Sequence, residues 1–100
     1  MADLRISAEA EADLDDIWLY VATEGQNAQR ADHLLDRFAV FFSRLARNPY
    51  LGRLRDDLRP GYRSFPVGDY VVVYRVAGDD EVLILRIIRG SRDIPALFGE

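Results

Sequence analysis

The chain has no cysteine and no lysine, a single histidine (His33), a single tryptophan (Trp18) and a single methionine among its 100 residues. Without cysteine there is neither a disulfide framework nor a thiolate metal site. One histidine with no carboxylates spaced to join it gives no metal-ligand pattern, and Ser64 and Ser91 have no nearby base to activate them. A phosphate-cradling glycine loop is missing, and no cofactor is expected. No apolar run approaches the ~20 residues of a membrane span. The opening Met-Ala-Asp-Leu-Arg has no basic region leading into an apolar stretch, so no secretory signal is expected and the chain reads as cytoplasmic.

Because lysine is absent, all 13 cations are arginines. GC-rich coding accounts for that total, so the positions carry more information than the number. Hydrophobic residues make up 49% and charged residues 30%, ordinary values for a globular chain, and 100 residues are expected to form one domain. The net charge of −4 conceals a segregation. Residues 1–36 hold nine acids and two arginines, whereas residues 37–75 hold eight arginines and three acids. A basic middle in an acidic chain predicts an anion-facing surface. The overall negative charge argues against phosphate-driven nucleic-acid binding, and no sequence-specific contact to nucleic acid is expected.

Leu4-Arg5-Ile6 alternates as a short edge strand. Ser7 is an N-cap candidate, followed by Glu9, Glu11 and Asp13 in the first turns, where the helix dipole favours acids. Leu14, Ile17, Trp18 and Val21 form one apolar face of a helix over about residues 8–24, with Gly25 as its stop. Asn27 caps a second helix whose stripe runs through Ala31, Leu34, Leu35, Phe38, Phe41, Phe42 and Leu45, and Asn48-Pro49 ends it. Residues 48–61 read as one long loop, followed by strands at about 62–66, 70–77 and 81–89. The order β-α-α-β-β-β predicts an α+β fold: two antiparallel helices packed on a small, mostly antiparallel sheet. The other sheet face is expected to be shallow, to carry arginines and to be open to a partner. Alternation places Val82, Ile84, Arg86 and Ile88 on one face of the last strand. If the hairpin turns at Asp79-Asp80, Arg75 and Arg86 share a face.

His33 falls outside the apolar stripe and reads as solvent-exposed. The Asp13/Asp15/Asp16 cluster is explained by the helix dipole and Asp79/Asp80/Glu81 by a solvated turn. Trp18, Phe38, Phe41 and Phe42 are core residues by spacing. Tyr20, Tyr50, Tyr62, Tyr70 and Tyr74 are open to two readings, base stacking beside arginine or cross-strand packing. Arg53, Arg55 and Arg59 are either solvated or neutralised by Asp56 and Asp57. Arg86 interrupts Leu83-Ile84-Leu85 and Ile87-Ile88, so it either pairs inside the fold or faces a binding groove.

Four segments taken together resemble the ParE branch of the RelE/ParE toxin superfamily: Glu11 to Ala22, Gly52 to Gly68, Tyr70 to Arg75 and Ile87 to Asp93. The similarity runs in order from about residue 3 to residue 95. It implies the two-helix-on-sheet fold and a toxin of a type II toxin–antitoxin module. It also implies a ParD-like antitoxin partner whose tail folds on the toxin as a hetero-oligomer, and DNA gyrase as the target, inhibited without catalysis. The target contacts it points to are Arg63, Arg75, Arg86, Arg89 and Arg92. The antitoxin contacts are Trp18, Tyr20, Arg53, Arg55 and Tyr70. The alternative within the superfamily is a RelE-like ribosome-dependent mRNA endonuclease. The tail after Arg92 offers no histidine, tyrosine or lysine as a general base, and arginine is a poor proton acceptor. Arg89 stands where similar sequences often carry histidine.

Overall fold

The first helix begins where its sequence predicts. Ser7 Oγ accepts a hydrogen bond from the Ala10 N–H at 3.0 Å, closing the first turn of α1 (Ala8–Thr23). Asn27 Oδ1 does the same for α2 (Ala28–Arg47), accepting from the Arg30 N–H at 3.1 Å. The structure, a computed structural model, describes residues 2–78, 80–90 and 93–98. Its strands are β1 (Asp3–Ile6), β2 (Arg53–Leu54), β3 (Tyr62–Val67), β4 (Tyr70–Ala77) and β5 (Glu81–Arg89), and a short α3 (Ile94–Phe98) follows. No described helix is long and apolar enough to cross a membrane.

The five strands form one sheet in the order β1-β5-β4-β3-β2, with β1 parallel to β5 and every other pair antiparallel. The α+β architecture of two helices on a mostly antiparallel sheet is as the element order predicted. Gly68 has φ 60 at the first of the two residues joining β3 to β4, the pattern of a tight hairpin turn that excludes a Cβ at little cost only for glycine. Phe38, Phe41 and Leu45 of α2 and Ala10 and Ile17 of α1 close over Val72, Tyr74, Val82, Ile84 and Ile87, which together form the main core. Phe41 stacks on Phe65 with ring centroids 4.8 Å apart.

Three expectations are corrected. The loop 48–61 contains the two-residue edge strand β2, which pairs Arg53 with Ser64 and Leu54 with Arg63. Two residues are too short for a period-2 pattern to show. The second sheet face is not left open: Leu58 and α3 cover Val73 and Ile88, with Phe98 edge-on to Tyr62 at 5.8 Å.

The third correction concerns register. Val73 pairs with Arg86 but Tyr74 pairs with Ile84, so Leu85 is an extra residue in β5 and forms a bulge. Beyond it the alternation reverses. Ile84 and Ile87 both face the helices, while Ile88 joins the opposite cluster. Val82, Ile84, Arg86 and Ile88 therefore do not share one face. Arg75 stands on the side of Val73 and Arg86 pairs with Val73, so these two arginines do start from one face, although the Arg86 guanidinium bonds Asp13 of α1 at the edge of β5.

The bulge is held by the start of α1. β1 ends at Ile6, and from there Ser7 and Asp13 take over as the edge partner of β5. Ser7 Oγ donates to the Leu85 carbonyl at 2.9 Å. The Asp13 carboxylate accepts from Arg86 Nε at 2.8 Å, from Arg86 Nη2 at 3.1 Å and from the Ile87 N–H at 2.8 Å. Asp13 is thus a clamp between helix and sheet, which the dipole reading missed. The hydrogen bond to Asp13 raises the Arg86 pKa above the ordinary guanidinium value despite partial burial.

Asp13→Ala removes three acceptor contacts and leaves a partly buried guanidinium without a counter-charge. It should cost about 2–3 kcal/mol, below the range for fully buried pairs because the Arg86 side chain keeps about a third of its exposure. Urea denaturation of Asp13→Ala, Arg86→Ala and the double variant measures this. The double variant should be less destabilised than the sum of the singles, because each single strands the other charge.

Candidate partner-binding surface

Tyr74 organises one end of the molecule. Its side chain is fully buried, its hydroxyl donates to the Pro49 carbonyl at 2.9 Å, and the same oxygen accepts from the Gly52 N–H at 2.7 Å. One phenol so fixes both ends of the turn leading into β2. Gly52 is required there, since a Cβ would stand 2.7 Å from the Tyr74 ring and hydroxyl. Arg63 donates to the Gly52 carbonyl at 2.9 Å, with its guanidinium 5.0 Å from the centre of the exposed Tyr50 ring. Burial pushes the Tyr74 phenol above the usual tyrosine range.

Arg55 grips Asp57 with two bonds of 2.9 Å and reaches Ser64 Oγ at 3.3 Å. This bonding lowers the pKa of Asp57 and raises that of Arg55. Arg53, on β2, is exposed. Trp18 Nε1 donates to Asp32 Oδ1 at 2.9 Å and ties α1 to α2. Among the residues expected to meet a partner, then, Trp18, Arg55, Arg63 and Arg86 have internal partners. Arg75 is exposed with no ion pair among the described residues. Arg92 lies outside the described residues.

The opposite pole brings a different set together. The helix hairpin, the β3–β4 turn and the end of β5 enclose a cleft of about 580 Å³. Tyr20, Tyr70 and Arg89 line it, three residues the sequence singled out, and Arg30, His33 and Arg37 join them. Tyr70 pairs with Arg89 across the strands, and the Arg89 guanidinium lies 5.6 Å from the centre of the Tyr20 ring. Tyr70 also packs edge-on against Phe38 at 5.9 Å, so it is both core and wall. His33 is exposed, as expected. Arg53 and Arg55 belong to the far end of the sheet, so the expected contacts do not form one patch.

Arg30 and Arg37 were not singled out from sequence, though a signal was there. Arg30, Arg37 and Arg44 recur every seven residues, two helical turns, and therefore lie along one side of α2. Among the described residues none of these three, nor Arg89, has a carboxylate within ion-pair distance. Nor does any cluster of three or more histidines and acids there present a metal site. The surface is one of planar cations and aromatic rings, suited to binding carboxylates or phosphates.

This architecture, two helices on a β1-β5-β4-β3-β2 sheet, is that of a small toxin class. A solved structure described as the chromosomal ParDE TA system from P. aeruginosa matches it with a TM-score of 0.73 and 28% identity, over 89% of this chain and 96% of that one. The family described as ParE toxin of type II toxin-antitoxin system, parDE, matches residues 4–94. Toxin ParE3 of Caulobacter vibrioides is 42% identical over 88 residues, covering 88% of this chain and 86% of that protein. Toxin ParE1 of Mycobacterium tuberculosis is 30% identical over 89 residues, covering 89% and 90%. The chain belongs to the ParE toxin family of type II toxin–antitoxin systems.

Removing the Tyr74 hydroxyl tests the staple. Tyr74→Phe strands the Gly52 N–H and the Pro49 carbonyl and should cost about 1–3 kcal/mol at neutral pH, read by urea denaturation. The raised phenol pKa fixes the sign of the alkaline effect. Tyr74 contributes fully below the unfolded tyrosine value of about 10, and its contribution fades as pH rises through the folded value. The gap between wild type and Tyr74→Phe should therefore narrow above that pH.

Proposed function

We propose that this ParE-family toxin acts in the cytoplasm as a non-enzymatic inhibitor of DNA gyrase and is held inactive by a ParD-like antitoxin folded on its surface. Family membership over residues 4–94 is the observation that carries the reading. The antitoxin follows from the toxin–antitoxin description of the family and of the P. aeruginosa relative. The arginine and tyrosine surface supports contact with a protein. Its cations are presented singly on rigid elements, which suits charge-assisted hydrogen bonds to carboxylates across an interface.

The endonuclease alternative asks for free cations and a general base converging on one phosphate. Arg86 is engaged by Asp13, Arg63 by the Gly52 carbonyl, and Arg75 stands on the opposite sheet face from Arg63. Of the arginines expected to meet the target, Arg75 and Arg89 are the exposed ones in β4 and β5, and we assign them the target contacts, with Arg92 beside them in sequence. Arg63 and Arg86 serve by shaping the elements that present them.

The test joins two assays on the purified chain: gyrase supercoiling with cleavage-complex detection, and mRNA integrity in a translating extract. Cleaved DNA should accumulate while mRNA stays intact. Arg75→Ala and Arg89→Ala should each weaken inhibition by about tenfold, the loss typical of an interface charge contact. Co-expression of a ParD-like antitoxin that binds the chain should restore growth. Cut mRNA with unaffected supercoiling would replace this reading with the endonuclease.

A further inference from the structure

The sheet separates the charges of this chain. Of the nine acids in residues 1–36, all but Asp3 belong to the helix hairpin. The face of β2, β3 and β4 turned away from the helices has the opposite character. Arg53 pairs with Ser64, Ser64 pairs with Val73, and Val73 shares its side with Arg75, so both arginines start from that face. Two strand spacings across and two residues along put their Cα atoms ~12 Å apart. Leu58 and α3 fill the middle of the face over Val73, and Arg53 and Arg75 stand exposed around them. Tyr62, half-buried, pairs with Arg75, and Arg59 is exposed in the loop next to Leu58. Among the described residues Arg53, Arg59 and Arg75 have no ion pair. The acids of that loop are engaged instead: Asp56 accepts from the Gly61 N–H at 2.9 Å, and Asp57 is held by the two bonds from Arg55.

We propose that this face contacts the phosphate backbone of the DNA that gyrase holds, with Arg53, Arg59 and Arg75 as the phosphate contacts. The proposal rests on the gyrase reading above and divides its target contacts: Arg89, at the other end of the β4–β5 pair, meets the protein, and Arg75 meets the nucleic acid. DNA is favoured over a protein surface for two reasons. A protein interface is built around apolar anchors that become fully desolvated. The exposed Leu19, Tyr20, Val40, Tyr50 and Leu54 sit on the helices or beside the helix-side Arg63, and only Leu97 of α3 joins the arginine face. Phosphate contacts need cations and hydroxyls and no apolar core, and the Tyr62 phenol stands beside Arg75 as a further donor. The second reason is spacing, since ~12 Å between Arg53 and Arg75 is close to the ~12 Å width of the major groove that phosphates flank. Three cations are too few to hold DNA alone, and the acidic hairpin with the net charge of −4 keeps the free chain off it. Gyrase supplies the second anchor, which turns a weak contact into an intramolecular one.

The experiment measures the affinity of the full chain for gyrase alone and for gyrase on a linear DNA duplex, each over a series of salt concentrations. Arg53→Ala, Arg59→Ala and Arg75→Ala are compared with Arg47→Ala, an exposed arginine at the end of α2. Thermal unfolding confirms that each variant is folded, and Arg75→Lys keeps the charge should Arg75→Ala fold poorly. DNA should raise wild-type affinity by about tenfold. Each of the three face variants should cut that gain by about threefold and lower the slope of log affinity against log salt by about 1, while leaving affinity for gyrase alone unchanged. Arg47→Ala should behave as wild type, and Arg75→Lys should retain the slope because a phosphate contact needs the charge more than the fork. Affinity that DNA does not raise, or a gain that all three variants keep, would overturn the proposal while sparing the gyrase reading. Equal losses with and without DNA would assign the face to the gyrase protein instead. No binding to gyrase in either form would overturn both.

Discussion

The fold turns on one carboxylate. β5 is the second strand of the sheet, flanked by β1 on one side and β4 on the other, but β1 stops at Ile6 while β5 runs on to Arg89. From Leu85 onward the outer edge of β5 would lose its partner just where the bulge disturbs its hydrogen bonding. Asp13 and Ser7 meet this from α1, taking the Ile87 N–H, the Arg86 guanidinium and the Leu85 carbonyl. Buried backbone groups left unpaired are costly, so the register of β5 and the docking of α1 are one problem with one solution. The bulge then decides which of Ile84, Ile87 and Ile88 enters which core.

A second buried polar group plays the same part at the other end of the sheet. Tyr74 has its ring in the main core and its hydroxyl between Pro49 and Gly52, so the segment leaving α2 is anchored to the middle of β4 rather than to its own neighbours. Arg63 and Arg55 add bonds around it. Arg55, Arg63 and Arg86, three of the arginines expected to meet a partner, thus hold local structure in shape. The division is physical. A partly buried guanidinium such as that of Arg86 finds an internal acceptor because burying it alone is costly, and an exposed one, on the flank of α2 or at Arg75 in β4, stays hydrated and available.

The pole where the helix hairpin meets the β3–β4 turn gathers what remains. Tyr20 comes from α1, Arg30 and Arg37 from α2, Tyr70 from β4 and Arg89 from β5. The ends of four separate elements meet there because the hairpin turn at Gly68 is tight and the helix hairpin overhangs it. Such a cleft presents cations and aromatic rings on rigid elements, which keeps the ordering cost of a contact made there low.

The sequence by itself determined the two capped helices, the C-terminal hairpin and the order of the principal elements, because caps, periodicity and β-branched runs are local signals. It also carried the family, through four short segments read together. It placed Tyr20, Tyr70 and Arg89 among contact residues, and the fold brings those three into one cleft. Only the tertiary structure decided that Arg86 and Arg63 find internal partners and that α3 covers the second face. The reason is that one extra residue in β5 reverses the facing of every side chain beyond it, and nothing in Leu85 announces this. It appears only when Asp13, more than seventy residues away in sequence, arrives to hold it.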